Sequence, residues 1–193
     1  MPHPAQPAKR SFAKVWRDVR GIIRRRLMLH TTFIAVTGSC GKSSAVYFLG
    51  KILGAVASAE VRIDYNIRQA VLRSLRKVKF TARYVVQEAG AHVPGSLAAI
   101  MKILRPRIGI VTTVGLDHFQ SFRTLEGTAR EKRAVVEVLP KNGVAILNAD
   151  DPHVIAMASH TRARVLTYGR AENADVRMSD VAADWPQRLA MTV

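Results

Sequence analysis

An α/β domain, built on a mostly parallel sheet flanked by helices, is predicted by three observations. Short apolar, β-branched runs alternate with amphipathic stretches along most of the chain, a pattern whose crossovers favour parallel pairing. The segment from Thr31 to Leu53 reads as strand, glycine-bracketed turn and helix. Four strands run into polar residues: Thr37 to Ser43, Glu88, Asp117–His118, and Asn148–Asp151. The carboxyl ends of parallel strands point one way, so these groups are expected to meet in one crevice.

A length of 193 residues with 48% apolar content suits one domain with a real core. The formal charge of +16 calls for an acidic partner, such as a nucleotide, an anionic polymer or a membrane face, without choosing among them. Cys40 is the only cysteine, which excludes an internal disulfide and fits a reducing, cytoplasmic setting. No run reaches the ~18 apolar residues of a spanning helix. Residues 1–30 hold eight Lys/Arg against one acid, Asp18. They read as a Pro-containing start and a basic helix from Phe12 to Leu27, able to touch a membrane or another domain. Residues 31–193 form the main domain.

The first strand ends at Thr37, and G-x-x-G-K-S follows as Gly38 to Ser43. Glycines there let backbone N–H groups face a phosphate, at a helix N-terminus whose dipole favours anions. Lys42 can reach β/γ-phosphates and Ser43 can ligate Mg²⁺. The common phosphate-loop pattern wants a glycine at position 36, where Val36 stands. A helix from Lys42 to about Ala57 follows. EVRIDYNIRQAVLRSLRKV gives a loop and a second helix, with Ile67, Val71, Leu75 and Val78 in helical spacing.

Tyr84 to Val86 is a buried strand delivering Gln87 and Glu88, and an acid at that edge can hold a metal opposite a phosphate loop. A short helix opens near Pro94 and Ser96 and stops before Pro106. RIGIVTTV brings Asp117 and His118 to the same edge, as a ligand or an orienting pair. A helix starts after Thr124 as N-cap, without the reciprocal glutamate of a capping box, and ends at Pro140. On that helix Lys132, flanked by Glu131 and Glu137, reads by itself as a surface charge. KNGVAILNADDP is turn, strand and helix start, where Asn148, Asp150 and Asp151 serve capping or contact a base or ribose. RARVLTYG is a fifth strand. The last residues read as two antiparallel strands around a turn near Asp184–Pro186.

AVTGSCGKSS, VVQEAG, IVTTVGLDHFQSFRTLEGTAREK and GVAILNADDP, in this order, resemble the central ATP-binding domain of the Mur ligases. The dipeptide-adding branch is the nearest likeness, over about Thr32 to Val176. The resemblance implies a P-loop-like fold and an ATP-dependent carboxylate–amine ligase of peptidoglycan precursor synthesis. Its acidic acceptor becomes an acyl phosphate, and an amine then displaces phosphate to leave an amide. It implies nucleotide binding by Thr37, Gly38, Ser39, Cys40, Gly41, Lys42, Ser43 and Ser44, with base contact by Asn148. It places one Mg²⁺ on Ser43 and Glu88 and a second on His118. Lys132 falls where many relatives carry a carbamylated lysine, and Asn66 falls near an acceptor-binding segment. Lys42, His118 and Lys132 are the catalytic candidates.

Two departures stand out. Only about thirty residues precede the loop, where uridine-binding relatives carry a domain. The chain also halts inside the small antiparallel sheet, before the family's C-terminal domain, so it reads as truncated or completed by a partner in cis or trans. The polyglutamate-extending ligases, which share this core without a uridine domain, stay open. So does a stand-alone P-loop kinase or NTPase. A basic binding protein ranks last, because there is no aromatic-interleaved basic groove and no zinc-ligand set, which also argues against nucleic acid.

Overall fold

A computed structural model describes residues 12–63, 67–116, 122–182 and 190–193. Asn66, Asp117, His118 and the turn near Asp184–Pro186 lie outside these residues.

Helix α1 (Phe12–Leu27) precedes β1 (Thr32–Thr37), and α2 (Lys42–Gly54) follows the loop. Next come β2 (Ala59–Arg62), α3 (Arg68–Lys77), β3 (Tyr84–Glu88), α4 (Ser96–Leu104) and β4 (Ile108–Val111). The chain continues through α5 (Leu125–Glu137), β5 (Val144–Asn148), α6 (Pro152–Ile155) with a 3₁₀ turn Ala156–His160, and β6 (Arg164–Gly169). It closes with β7 (Val176–Arg177), β8 (Ser179–Ala182) and β9 (Ala190–Thr192).

β2-β3-β1-β4-β5-β6-β7 form one seven-stranded sheet, in which every pairing is parallel. β8 and β9 pair antiparallel beside it. Two strands differ from the sequence expectation. β2 lies in what read as a loop, and β7 joins the main sheet in parallel with β6. The antiparallel pair is therefore confined to β8 and β9.

Alternation along β1 fixes the layers. Phe33 and Ala35 face a core shared with Val71, Leu75, Leu97 and Val135, under α3, α4 and α5. Ile34 and Val36 face the other side, where Val46 of α2 closes a smaller core with Val86 and Ile110. Val111, Leu147, Val154 and Met157 fill a third cluster beside β5.

The basic helix is part of this body. Ile22 packs on the main core, and Asp18 pairs with Arg68 of α3 at 3.1 Å. Arg24 lies 4.1 Å over the Phe80 ring and donates to the Val78 carbonyl at 2.6 Å. Arg25 lies 3.8 Å over Phe33 and donates to the carbonyls of Leu104 and Arg105. Each arginine thus stacks on an aromatic face while binding carbonyls at the end of a neighbouring helix.

Candidate functional site

The strand order sets β3, β1, β4 and β5 side by side, which gathers their carboxyl ends at one edge. Thr37 is the last residue of β1 and is fully buried. Gly38 then takes φ +150°, a backbone that L side chains rarely adopt, and a Cβ there would overlap the Thr112 hydroxyl. Gly41 caps α2 at φ 79° without any side-chain hydrogen bond. The first helical bond runs from Ala45 N to Gly41 O. The amides from Lys42 to Ser44 therefore belong to the first turn, whose N–H groups have no acceptor within the helix.

The loop is stitched to the segment after β4. Ser39 N donates to Thr113 O at 2.8 Å, and Cys40 N to Thr113 Oγ1 at 3.1 Å. Thr112 Oγ1 donates to Cys40 O at 2.6 Å, and Gly115 N to Ser39 Oγ at 2.6 Å. Sequence reasoning sets all the loop amides toward a phosphate. Here those of Ser39 and Cys40 serve the brace, and the candidates for an anion begin at Gly41. Thr112, Thr113 and Gly115 were absent from the sequence-based site. Their signal was the polar pair that follows the buried strand IGIV.

Lys42 Nζ curls back to donate to Gly38 O at 2.8 Å and Ser39 O at 3.1 Å. Ser43 Oγ donates to Glu88 Oε2 at 3.0 Å, joining the loop to the end of β3. Val36 pairs with Glu88 across the β1–β3 ladder, which explains the meeting. Glu88 itself is buried. Thr37 Oγ1 is buried with no hydrogen-bond partner among the described residues. Among the described residues, open space around Gly41, an orphan hydroxyl, amides with no partner and paired oxygen donors make a donor set that fits a magnesium-bound phosphate chain.

Asn148 ends β5 and bridges edges: its Nδ2 donates to Thr112 O at 2.9 Å, and its Oδ1 accepts from Asp150 N at 3.0 Å. Asp151 caps α6, accepting from His153 N and Val154 N, and also accepts from Val114 N at 2.7 Å. Asp150 accepts from Arg170 N and Ala171 N after β6. Both carboxylates therefore fasten strand ends together. Tyr168, beneath them, has its phenol pushed up by burial first and then by Asp150 and Asp151.

Lys132 corrects the surface reading, since it is 1% exposed within α5. Its neighbour Glu131 is also buried. The Glu131 carboxylate accepts from Gly95 N and Leu97 N, each at 2.7 Å, and from Ser96 Oγ. It caps α4 from another helix, a task read nowhere in the local sequence.

Fold and loop together define a phosphate-loop α/β domain. Residues 36–191 match the Mur ligase middle domain, and the chain belongs to that family. It is 34% identical over 167 residues to the UDP-N-acetylmuramoyl-tripeptide–D-alanyl-D-alanine ligase of Mycobacterium tuberculosis, covering 84% of this chain and 32% of that one. The chain thus spans about a third of the length of the curated relatives it matches. MurF from Acinetobacter baumannii superposes with a TM-score of 0.83 at 22% identity, over 98% of this chain and 45% of that one. MurF from Thermotoga maritima, solved with ADP, gives 0.80 at 21% identity, over 95% of this chain and 43% of that one. The two structures agree with the fold expected from the sequence.

Proposed function

We propose that this chain is the Mg-ATP-binding core of an ATP-dependent carboxylate–amine ligase, of the type that adds D-alanyl-D-alanine to a UDP-linked muramyl tripeptide. The observation that carries the reading is the 3.0 Å contact between Ser43 Oγ and Glu88 Oε2 at the mouth of the phosphate loop. It sets a hydroxyl and a carboxylate, both hard oxygen donors, beside a helix N-terminus. The names of relatives such as the Mycobacterium tuberculosis enzyme support the ligase reading over a polyglutamate-extending core or a stand-alone kinase.

In this reading the amides from Gly41 onward and Lys42 bind the β/γ-phosphates. Ser43 and Glu88 hold one Mg²⁺, His118 a second, and Asn148 contacts the base. Lys132 carries a carbamate that supports the metal site. Bound Mg-ATP supplies the phosphoryl group that activates the acceptor carboxylate. The chain's own task is to position and neutralise charge, which is what phosphoryl transfer asks of a protein. Lys42 would exchange the Gly38 and Ser39 carbonyls for phosphate oxygens, a charge-assisted gain over two neutral acceptors. The acceptor and amine sites are supplied by further domains, in cis or trans, in a cytoplasmic setting.

Calorimetric titration with Mg-ATP tests the reading. Lys42→Ala should lose binding while the melting transition is kept, and Glu88→Gln should weaken Mg-ATP far more than metal-free ATP. Unchanged affinity in Lys42→Ala would sink the site assignment.

A further inference from the structure

We propose that the edge of the sheet opposite the phosphate loop, together with the outer side of α1, is a docking surface for an anionic lipid bilayer. A cleft of about 530 Å³ opens where α1 ends and β1 and β4 begin. Arg25, Arg26, Arg83, Arg105, Arg107 and His30 line it, and no carboxylate is among its described lining residues. On the other flank of α1 lies a groove of about 440 Å³, walled by Trp16, Arg20, Ile23, Arg24, Leu27 and Phe80, again with no carboxylate among the described lining residues. Residues 16, 20, 23 and 27 recur at helical spacing and so share one face.

The apolar members of this surface are turned to solvent: Leu29 is 82% exposed, Leu27 63% and Trp16 56%. Among the described residues none of these arginines forms an ion pair with a carboxylate. Arg24 Nε is buried with no acceptor among the described residues. The Arg25 guanidinium is pulled down to about 10, first by burial and then by the like charge of Arg105, so it stays charged at neutral pH and an added anion relieves it.

Large aliphatic and indole side chains ringed by arginines suit the boundary between headgroups and acyl chains. The aliphatics would enter the acyl layer, and the arginines would take the lipid phosphates. A nucleic acid would instead favour stacked aromatics along a groove, whereas Ile23, Leu27 and Leu29 are aliphatic. No helix among the described residues is long and apolar enough to cross a membrane, so attachment is peripheral. The nucleotide crevice, at the other edge of the sheet, would face water.

Vesicle flotation tests this. In about 0.1 M salt the chain should float with phosphatidylcholine vesicles containing a quarter phosphatidylglycerol, at least tenfold more than with phosphatidylcholine alone, and should detach as salt rises. Arg26→Gln with Arg107→Gln should weaken partition about 25-fold, at roughly fivefold for each basic residue near an anionic surface. Leu27→Ser with Leu29→Ser should also reduce it. All four side chains are exposed, so melting temperature and Mg-ATP affinity should hold, and Lys42→Ala should float like the parent. Equal partition on both vesicles, no partition, or arginine and leucine variants that float like the parent would overturn the proposal. Binding to a short DNA duplex more tightly than to the anionic vesicles would overturn it too, in favour of a nucleic-acid surface.

Discussion

Replacing Gly38 with alanine isolates the contribution of the loop's shape from that of its charges. The methyl group adds no polarity and removes none. It meets two separate obstacles: a backbone at φ +150°, and the Thr112 hydroxyl, which occupies the space a Cβ would need. Strain at a glycine-type backbone costs on the order of 1–3 kcal/mol. Overpacking against Thr112 adds about 1–3 kcal/mol, because that hydroxyl is committed to Cys40 O and Thr37 O and cannot swing away without leaving an acceptor behind. The expected sum, about 2–6 kcal/mol, is a large part of the roughly 5–15 kcal/mol that holds a domain together. Urea unfolding should therefore show a much lower midpoint, and calorimetry a large loss of Mg-ATP affinity. Thr112→Ala removes the hydroxyl that the new methyl would meet, but it keeps the Thr113 amide and Thr112 Cβ beside it and gives up the bond to Cys40 O. The two substitutions should therefore be less than additive: adding Gly38→Ala should cost less in a Thr112→Ala background than in the parent. If Gly38→Ala unfolds like the parent and binds Mg-ATP as tightly, or if Gly38→Ala costs as much in the Thr112→Ala background as in the parent, the account of the loop is wrong.

Three further outcomes follow from the same geometry. Glu131→Ala should cost about 2–4 kcal/mol in chemical unfolding, since it strips a buried charged acceptor from three donors at the start of α4; Glu131→Gln should lose less, and an unchanged midpoint would contradict the capping role. Asp175 is held below the usual carboxylate range, first by the Thr167 amide and then by the Thr167 hydroxyl. Its contribution is thus fully present above the ordinary carboxylate value of about 3.9 and fades as pH falls through the lower folded value. Amide exchange at Thr167 should open on that acid side, and Asp175→Asn should abolish the dependence. Protein equilibrated with ¹³C-bicarbonate should give a carbamate carbon resonance that vanishes in Lys132→Arg; a spectrum without that resonance would remove the carbamate from the proposed site.

The phosphate loop and Glu88 were legible because two different periods flank them. A continuous apolar run marks a strand buried on both faces, and the position of the polar residue that ends it tells which edge it reaches. β2 was illegible for the converse reason. AEVR is half-buried throughout, and its Glu60 and Arg62 pair with each other, so charges that look like loop residues are satisfied within an edge strand. β7 has two exposed residues and carries no period at all. On α5 the apolar count gives the right helix and a misleading face: Thr128, Glu131 and Lys132 are buried alongside Ala134 and Val135. A rule that sorts polar residues outward places Lys132 in solvent, whereas Ala134 and Val135 pack into the main core and Glu131 turns inward with them to cap another helix.

Val36 shows how a shortened loop can still be rigid. A strand residue occupies the place of the usual first glycine, fully buried and paired on one side with Glu88 and on the other with Ile110. β1 therefore runs further toward the crevice, and fewer residues remain to make the turn. A longer loop could satisfy its early amides internally or on the ligand. This one hands two of them to Thr113, on the neighbouring strand's continuation. The bonds are made within the protein itself, so the remaining amides are fixed in direction by the sheet, which lowers the ordering entropy a bound phosphate would cost. The brace also links the two halves of the edge. Thr112 O accepts from Asn148, and Val114 N donates to Asp151, so the loop, the end of β4 and the end of β5 form one connected unit. A substitution at Thr113 that removes its hydroxyl should for that reason reach both the loop and the segment that holds Asn148, although Thr113 itself need touch no ligand.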